Sequence, residues 1–249
     1  MKIIAISNHK GGVGKTTTTI NLGAALAEKG HSVLLIDLDA QANLTQSLGL
    51  TLEAKTICGA IEGRHELHPV EVVKNLYAIP SALELAAIAE RIVTQPGSDH
   101  ILQVLLERLT ASRKFNYILI DCPPSLSTLT INAFTAANQV YIALQAEYLA
   151  LQGLASLVEA VNLVKTRINK GLTIGGVVVT QYDSRRILNK EVVAAIEKQL
   201  PGKVFTTKIR ENIAIAEAPT RGLDVIRYNP KSNGAKDYKA LAAEVLKRK

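Results

Sequence analysis

The segment KIIAISNHKGGVGKTTTTINLGAALAEKG, residues 2–30, decides the fold because it contains a strand, a glycine-rich turn and a helix in succession. Residues 2–7 form a nearly continuous apolar run, which is typical of a strand covered on both faces. The helix is predicted from about Thr16 to Lys29, and Gly30 provides its C-terminal cap. A strand that passes through a glycine-rich turn into a helix is the context that a phosphate-binding loop requires.

The turn itself departs from the usual phosphate-loop pattern, G-x-x-x-x-G-K-[ST]. Gly14, Lys15 and Thr16 match the end of the pattern, but His9 stands where its first glycine belongs. A second lysine, Lys10, follows directly. This departure from the pattern leaves two alternatives: a damaged nucleotide-binding loop, or a loop in which the extra lysine has a function of its own.

The glycines of the turn are predicted to let successive backbone N–H groups face inward around an anion. The positive end of the following helix adds to that field. We expect Lys15 to reach the β- and γ-phosphates, Thr16 to ligate Mg²⁺ through its hydroxyl, and Thr17 to donate to the α-phosphate. The loop residues predicted to bind ATP in this way are Gly11, Gly12, Val13, Gly14, Lys15, Thr16 and Thr17.

Three aspartates lie at the ends of predicted strands, where the ligands of parallel sheets collect. Asp121 ends the run YILID (117–121) and is predicted as the Walker-B-type acid that holds Mg²⁺ through water. In LIDLDAQAN, Asp39 is the candidate to orient or activate the attacking water, and Asp37 is expected nearer the metal. An alternative for Asp39 is the N-cap of a helix over residues 41–48, and one carboxylate can serve both purposes.

Short apolar runs alternate with helical patterns along the rest of the chain, which indicates an α/β fold with right-handed crossovers. Further strands are predicted at residues 32–37, 75–80, 117–121, 140–145 and 173–181. Further helices are predicted near residues 98–112, 128–137, 147–168, 188–200 and 235–248. Because the strand patterns are continuous, we predict a doubly wound, mostly parallel sheet flanked by helices. No linker or repeat divides the sequence, so residues 1–249 are expected to form one domain.

The net charge of +7 is unevenly distributed along the 249 residues. Residues 163–249 contain 18 Lys/Arg and 8 Asp/Glu, a net charge of +10, whereas residues 1–162 have a net charge of −3. A basic C-terminal third indicates a polyanionic partner, although a solubilising surface explains the same charge.

Several features of the sequence bear on the cellular location of the protein. No apolar run reaches the roughly 18–20 residues of a membrane-spanning helix, and the chain enters its first strand directly after Met1, so no signal peptide is expected. Cys58 and Cys122 have no metal-type spacing, and the five histidines form no metal-binding motif. These features predict a cytoplasmic protein with reduced cysteines.

Four motifs together resemble those of the ParA/Soj-type deviant Walker A ATPases, which partition bacterial chromosomes and plasmids. They are KGGVGKTT (10–17), DLDAQ (37–41), ILIDCPPSLS (118–127) and EAPTRG (217–222). The resemblance extends over essentially the whole chain. It implies a P-loop NTPase fold, with ATP and Mg²⁺ as cofactors.

The resemblance also implies roles for individual residues. Lys10 matches the family's signature lysine, which crosses the interface of an ATP-sandwiched homodimer to contact the partner's nucleotide, as an arginine finger does. Asp39 matches the hydrolytic aspartate and Asp121 the Walker B acid. Asn212 matches an asparagine that contacts adenine, and Arg210 is predicted beside it in the ATP site. The residues predicted to be catalytic are Lys10, Lys15 and Asp39.

In the family, ATP-bound dimers coat DNA without regard to sequence, and a ParB-type centromere-binding protein stimulates hydrolysis and release. The resemblance therefore implies a nucleoid-associated protein. The residues predicted to contact DNA are Arg185, which aligns with a family arginine, and Arg186, Lys208, Arg210 and Arg221. The stretch IRENIA (209–214) departs from the common I-P-R-N-V-R at Arg210, Glu211 and Ala214. One DNA contact is therefore absent or moved, with Lys236, Lys239 and residues 247–249 as candidates.

Three other classes compete with this interpretation. A MinD-like membrane-cycling ATPase needs an amphipathic C-terminal helix with bulky apolar residues, but the tail DYKALAAEVLKRK offers mainly alanine and leucine. An iron–sulfur reductase like the nitrogenase iron protein shares the lysine-rich loop, and two cysteines per subunit could hold a cluster across a dimer axis. A metabolic ligase of the dethiobiotin-synthetase kind needs a second substrate site. We expect DNA, and no membrane, as partner.

Overall fold

The computed structural model describes residues 1–51, 55–147 and 150–248. Within these residues, seven strands form one sheet in the order β3-β4-β2-β5-β1-β6-β7. All neighbours pair in parallel except β3 and β4, which are antiparallel. The strands are β1 (Lys2–Ser7), β2 (Val33–Asp37), β3 (Val70–Val73), β4 (Leu76–Ile79), β5 (Tyr117–Asp121), β6 (Gln139–Gln145) and β7 (Thr173–Thr180).

Helices cover both faces of the sheet. The described part of the chain contains α1 (Lys15–Glu28), α2 (Asn43–Ser47), α3 (Ile57–Ile61), α4 (Leu85–Ile92), α5 (Ile101–Ser112), α6 (Thr128–Ala136), α7 (Ala150–Arg167), α8 (Ile187–Gln199), α9 (Ile213–Glu217), α10 (Val225–Tyr228) and α11 (Asn233–Lys247). Helices α3 to α8 pack on one face, and α1, α2 and α9 to α11 on the other. Central strands buried on both faces explain the continuous apolar runs in the sequence.

The predicted α/β class, with a mostly parallel sheet flanked by helices, is confirmed, and the predicted strands and helices lie within about three residues of the observed ones. Gly30 follows the helix in a left-handed conformation (φ +87°), as a C-terminal cap requires. The predicted helix near 147–168 is described from Ala150, because residues 148 and 149 lie outside the described residues. Lys249, one of the alternative DNA contacts, also lies outside them.

The sequence patterns did not predict β3, α4, α9 or α10, whereas the helix suggested over residues 41–48 is observed as α2 (Asn43–Ser47). Strand β3 is an edge strand with alternating exposure and the charged residue Glu71, so it lacks the continuous apolar pattern of the central strands. Helices of four or five residues, such as α9 and α10, are too short to show a helical period.

The parallel arrangement brings the carboxyl ends of β1, β2 and β5 to one edge of the sheet. Asp37 at the end of β2 is in register with Asp121 at the end of β5, and Asp121 is in register with Ile6 on β1. The phosphate-type loop leaves β1 at the same edge. In the described part of the chain, no helix has the length and apolar character needed to cross a membrane.

Candidate active site

The glycine-rich turn has the backbone conformation that its sequence predicts. Gly12 (φ +74°) and Gly14 (φ +82°) are both in the left-handed region, which glycine adopts without strain. Gly14 is the N-cap of α1, so the unpaired N–H groups of the first helical turn face the loop. The loop therefore has the form of an anion-binding turn at a helix N-terminus.

The loop is fastened to the end of β7, a contact that the sequence did not reveal. The Thr180 hydroxyl donates to the Val13 carbonyl (2.8 Å), and the Gln181 side-chain amide donates to the Gly12 carbonyl (2.9 Å). These bonds occupy loop carbonyls, which leaves the loop N–H groups available for an anion.

The two loop lysines have different environments. Lys15 is 7% exposed, and its ammonium group donates to the Lys10 carbonyl (3.2 Å). Burial lowers the pKa of Lys15, and the nearby carboxylates of Asp121 and Asp39 partly oppose this shift. Lys10 instead points outward, and its Nζ lies 2.5 Å from Oε2 of Glu147, with 43% of its side chain exposed. The sequence singled out Lys10 but gave no indication of Glu147.

His9, which replaces the usual first glycine, packs against α7. A Cβ atom at Gly153 of α7 would lie 1.9 Å from the His9 ring, so glycine at this position is what admits the histidine. The histidine that replaces the usual first glycine of the loop is therefore accommodated by a glycine on α7.

Asp37 and Asp121 lie side by side, but their surroundings differ. Both oxygens of Asp37 accept hydrogen bonds inside the protein: Oδ2 from the Thr45 N–H (2.9 Å) and hydroxyl (2.7 Å), and Oδ1 from the Asp39 N–H (3.2 Å). Burial raises the pKa of Asp37 to about 6, against the opposing effect of these bonds. Asp37 thus stabilises the loop that follows β2.

The two carboxylate oxygens of Asp121 differ in their hydrogen bonding. Its Oδ1 accepts a weak bond from the Thr19 hydroxyl (3.4 Å), whereas its buried Oδ2 has no hydrogen-bond partner within the described residues. Burial, followed by the charge of Asp37, raises the pKa of Asp121 well above its ordinary range, while Thr16 and Lys15 oppose the rise. A buried carboxylate oxygen without a partner, beside a threonine hydroxyl, suits a hard cation such as Mg²⁺.

Asp39 lies at the mouth of the site and is 9% exposed. Its Oδ1 accepts a hydrogen bond from the Gln41 N–H (3.0 Å) and thereby closes a turn. The alternative prediction of a helix N-cap is wrong, because Ala42 occupies the N-cap position of α2 without a side-chain bond. Asp39 Oδ2 is therefore the oxygen that this turn leaves available for a water molecule.

A cleft of about 340 Å³ adjoins the loop on the side of α9. It is lined by Gly14, Thr17, Thr180, Gln181, Ile209, Arg210, Glu211, Asn212, Ile215, Ala216, Pro219 and Tyr238. Oδ1 of Asn212 is buried and has no hydrogen-bond partner in the described part of the chain. The Arg210 guanidinium is held at the cleft by two bonds to Asp237 (3.0 and 2.6 Å).

The residues predicted to contact DNA do not share one environment. Arg185 and Arg186 stand together between β7 and α8, where Asp183 pairs with both. Lys208 is partly buried, donates to the Phe205 carbonyl, and has a pKa lowered by burial. Arg210 belongs to the cleft, and Arg221 ends the exposed 3₁₀ segment after α9.

Comparison with known proteins places this site in a class. A family model described as an AAA domain matches residues 1–174, so the chain is an α/β protein of the phosphate-binding-loop class. It is 40% identical to the chromosome-partitioning ATPase Soj of Treponema pallidum over 99% of this chain and 98% of that protein. It is 42% identical to the sporulation initiation inhibitor protein Soj of Bacillus subtilis over 98% of each chain. The chain belongs to the ParA/Soj family.

Two solved structures with the same fold contain a bound nucleotide. The cobyrinic acid a,c-diamide synthase of Mycobacterium smegmatis, with bound ATP analog and magnesium, is 31% identical and superimposes with a TM-score of 0.86, covering 99% of this chain and 94% of that one. The septum site-determining protein MinD of Pyrococcus horikoshii, complexed with Mg-ADP, is 28% identical with a TM-score of 0.81, covering 99% and 96%.

Proposed function

We propose that this protein is a DNA-partitioning ATPase. In this proposal it binds Mg-ATP, forms an ATP-sandwiched homodimer, binds DNA without sequence preference, and leaves the DNA when a ParB-type partner stimulates hydrolysis. The observation that carries the proposal is the different placement of the two loop lysines. Lys15 is buried beside the aspartates, whereas Lys10 is displayed at the surface, where a second subunit can be reached.

The residues of the site fit a magnesium-bound nucleoside triphosphate. Thr16 and the free oxygen of Asp121 would hold Mg²⁺, with Asp37 beside them as the residue that fixes the loop. The loop N–H groups and Lys15 would neutralise the phosphates. Oδ1 of Asn212, which has no hydrogen-bond partner among the described residues, supports base binding in the adjoining cleft, because an adenine amino group is a hydrogen-bond donor. When bound, Mg²⁺ supplies positive charge that stabilises the transferring phosphoryl group.

Hydrolysis needs a group that orients water and a cation that offsets developing charge. Asp39 fits the first task because its Oδ1 is committed to the turn at Gln41 and its position is thereby fixed. Lys10 fits the second task in the partner's site, as an arginine finger does in other nucleotide hydrolases. The exposed pair with Glu147 supports this role, since such pairs are readily exchanged.

DNA binding is supported by the basic C-terminal third and by the exposed tip that carries Arg185 and Arg186, whose side chains are 89% and 61% exposed. Neutralisation of phosphates by Lys and Arg supplies most of the affinity for DNA of arbitrary sequence. A protein of this kind would reside in the cytoplasm, on the nucleoid.

The MinD-like alternative, cycling on a membrane surface, is disfavoured by the packing of α11. Tyr238, Leu241 and Val245 of this helix are buried against the domain. Arg248 at its end lies over the Phe205 ring (3.8 Å to the centroid) and bonds Glu244. The apolar side of α11 is thus occupied, whereas a membrane-binding helix must offer that side to lipid.

Two measurements test the proposed function. DNA mobility-shift assays over a salt series should show binding with Mg-ATP, weak binding with Mg-ADP or no nucleotide, and loss of binding as salt rises. Equal binding in all three nucleotide states contradicts the switch. Pelleting with anionic liposomes and Mg-ATP should leave the protein in solution, and stable ATP-dependent pelleting would favour the membrane alternative.

A further inference from the structure

A buried asparagine joins the arginine tip to the part of the site that holds Lys10. Asn189 lies in the first turn of α8 and is 6% exposed. Its side-chain amide donates to the Ala146 carbonyl (2.7 Å), and its Oδ1 accepts a hydrogen bond from the Asp183 N–H (2.9 Å). Ala146 directly precedes Glu147, the partner of Lys10. One side chain therefore bridges the loop after β6 and the loop after β7.

At its other end, this bridge positions the carboxylate that controls the two arginines. Oδ1 of Asp183 accepts from the backbone N–H and Nε of Arg185 (3.0 Å each), and its Oδ2 accepts from Nη2 (2.9 Å). The Nε atom of Arg186 lies 3.7 Å from the same carboxylate. Because one negative charge faces both guanidinium groups, the tip presents less positive charge to a phosphate backbone than its sequence suggests.

The start of the same segment is tied directly to the phosphate-type loop. Gln181 has a left-handed backbone (φ +49°), which non-glycine residues adopt rarely, and its amide donates to the Gly12 carbonyl. Tyr182 is fixed next to it by a bond from its N–H to the Ile209 carbonyl (2.9 Å). The segment that carries the arginines is thus held at Gln181 by the loop, and at Asp183 by Asn189.

We expect the Asn189 bridge to shift when the dimer forms, and this step rests on the proposed function. When Lys10 reaches the partner's nucleotide, its ion pair with Glu147 opens. Glu147 is joined to the last residue of β6, Gln145 (2.8 Å), and to the first residue of α7, Ala150 (3.0 Å), by backbone hydrogen bonds, and Ala146 lies directly between Gln145 and Glu147. A shift of this loop displaces the Ala146 carbonyl. Asn189 follows, because breaking a buried hydrogen bond without replacement is unfavourable.

We propose that Asn189 is the positioning residue through which the state of Lys10 sets the arrangement of Asp183 and its two arginines, and hence the affinity for DNA. In the arrangement described above, Asp183 neutralises the arginines. In the ATP-bound dimer, the displaced Asn189 draws the Asp183 backbone away and leaves Arg185 and Arg186 to the DNA phosphates. Asn189 contacts neither nucleotide nor DNA in this scheme.

The test compares two substitutions with a matched control in the full chain. Asn189→Asp keeps an acceptor for the Asp183 N–H but has no amide to donate to Ala146. Asn189→Ala removes both bonds. Gln199→Ala, an exposed amide at the far end of α8, is the control. The measurement is the dissociation constant for a linear duplex of arbitrary sequence, at one salt concentration, with Mg-ATP and with Mg-ADP.

The wild type and Gln199→Ala are expected to bind DNA at least about tenfold more tightly with ATP than with ADP, within the usual range of coupling between sites. In Asn189→Asp this ratio should fall to about threefold or less, while ATP-dependent dimerisation measured by light scattering stays unchanged. The added charge of the aspartate lowers affinity for DNA in both states, and the uncharged Asn189→Ala separates this effect from loss of the bridge. Asn189→Ala should show the same loss if it folds.

The outcomes separate the two proposals. If Asn189→Asp keeps the wild-type ratio of DNA affinities with ATP and ADP, this inference is overturned but the proposed function is not. A residue that merely supports the Asp183 turn would tolerate aspartate. Loss of ATP-dependent dimerisation in Asn189→Asp also overturns the inference, because Asn189 would then affect formation of the dimer and not the arrangement of Arg185 and Arg186. Absence of nucleotide-dependent DNA binding in the wild type overturns both this inference and the proposed function.

Discussion

Lys10 and Glu147 form an ion pair with 2.5 Å between Nζ and Oε2, joining the loop before α1 to the loop after β6. Each side chain is a little less than half exposed. Ion pairs in such surroundings contribute roughly 0.2–1 kcal/mol. The pair therefore holds the outer lysine in place only weakly, and a more highly charged anion can displace Glu147 at little cost.

Removing the charge of Glu147 should release Lys10. We expect Glu147→Gln to tighten ATP-dependent dimerisation by up to about fivefold for each of the two subunits, the equivalent of one surface ion pair per subunit. Analytical ultracentrifugation with Mg-ATP measures this. Glu66→Gln, which disrupts an exposed pair with Arg108, is the control and should leave dimerisation unchanged. Weaker dimerisation in Glu147→Gln would show that the carboxylate helps to build the dimer instead.

The two loop lysines should be separable by mutation. Lys15→Ala is expected to weaken binding of ATP by the monomer at least about a hundredfold, since a buried charge that faces the phosphates is lost. Lys10→Ala should bind ATP within about threefold of wild type but fail to dimerise or hydrolyse it. Isothermal titration and light scattering distinguish the two effects. Lys74→Ala, in the exposed turn between β3 and β4, controls for loss of a positive charge.

Asp39 can be tested without disturbing its turn. In Asp39→Asn the amide oxygen can still accept the Gln41 N–H, so the loop should keep its shape while the charge that polarises water is lost. We expect the turnover rate to fall by at least about 10², with nearly unchanged ATP affinity and a longer-lived ATP-bound dimer. Hydrolysis at the wild-type rate would remove Asp39 from this role.

The anchoring of α11 predicts a pH-dependent stability. Burial alone would raise the pKa of Glu244, but the backbone N–H groups of Thr207 and Thr206 and the charge of Arg248 lower it below its ordinary value. Because the pKa of Glu244 is lower in the folded than in the unfolded protein, its ionised form stabilises the fold at pH values above the unfolded-state pKa of about 4.5. This stabilisation is lost as the pH falls below that value.

Glu244→Gln should therefore lower the melting temperature at pH 7 by about 2–4 °C, as expected for the loss of roughly 1 kcal/mol. The difference should shrink as the pH is lowered through about 4.5. Differential scanning calorimetry at several pH values measures both effects. Glu90→Gln, an exposed carboxylate on α4, is the control and should show little change at any pH. A constant difference across pH would contradict the assigned cause.

Elements with strong local signals were predictable. The strand, glycine turn and helix over residues 2–30 were placed nearly to the residue, and the aspartates at positions 37 and 121 lie together at the carboxyl edge as expected. Edge strand β3 was missed because it has only four residues and contains Glu71, so it lacks the continuous apolar run of the central strands. The two hydrogen bonds from Thr45 to Oδ2 of Asp37 were not predictable either, because a sequence motif does not show which carboxylate oxygens are already bonded within the protein.

By itself, the sequence determined the class of fold, the phosphate-type loop and the order of acids along the chain, because glycine conformation, helix periodicity and strand burial are local properties. The tertiary structure decided which groups those residues meet. The contacts of Glu147 with Lys10, of Asn189 with Ala146 and of Arg210 with Asp237 join residues 27 to 137 positions apart. Such pairs depend on how parallel strands align their loops at one edge of the sheet, and no spacing in a single sequence records that alignment.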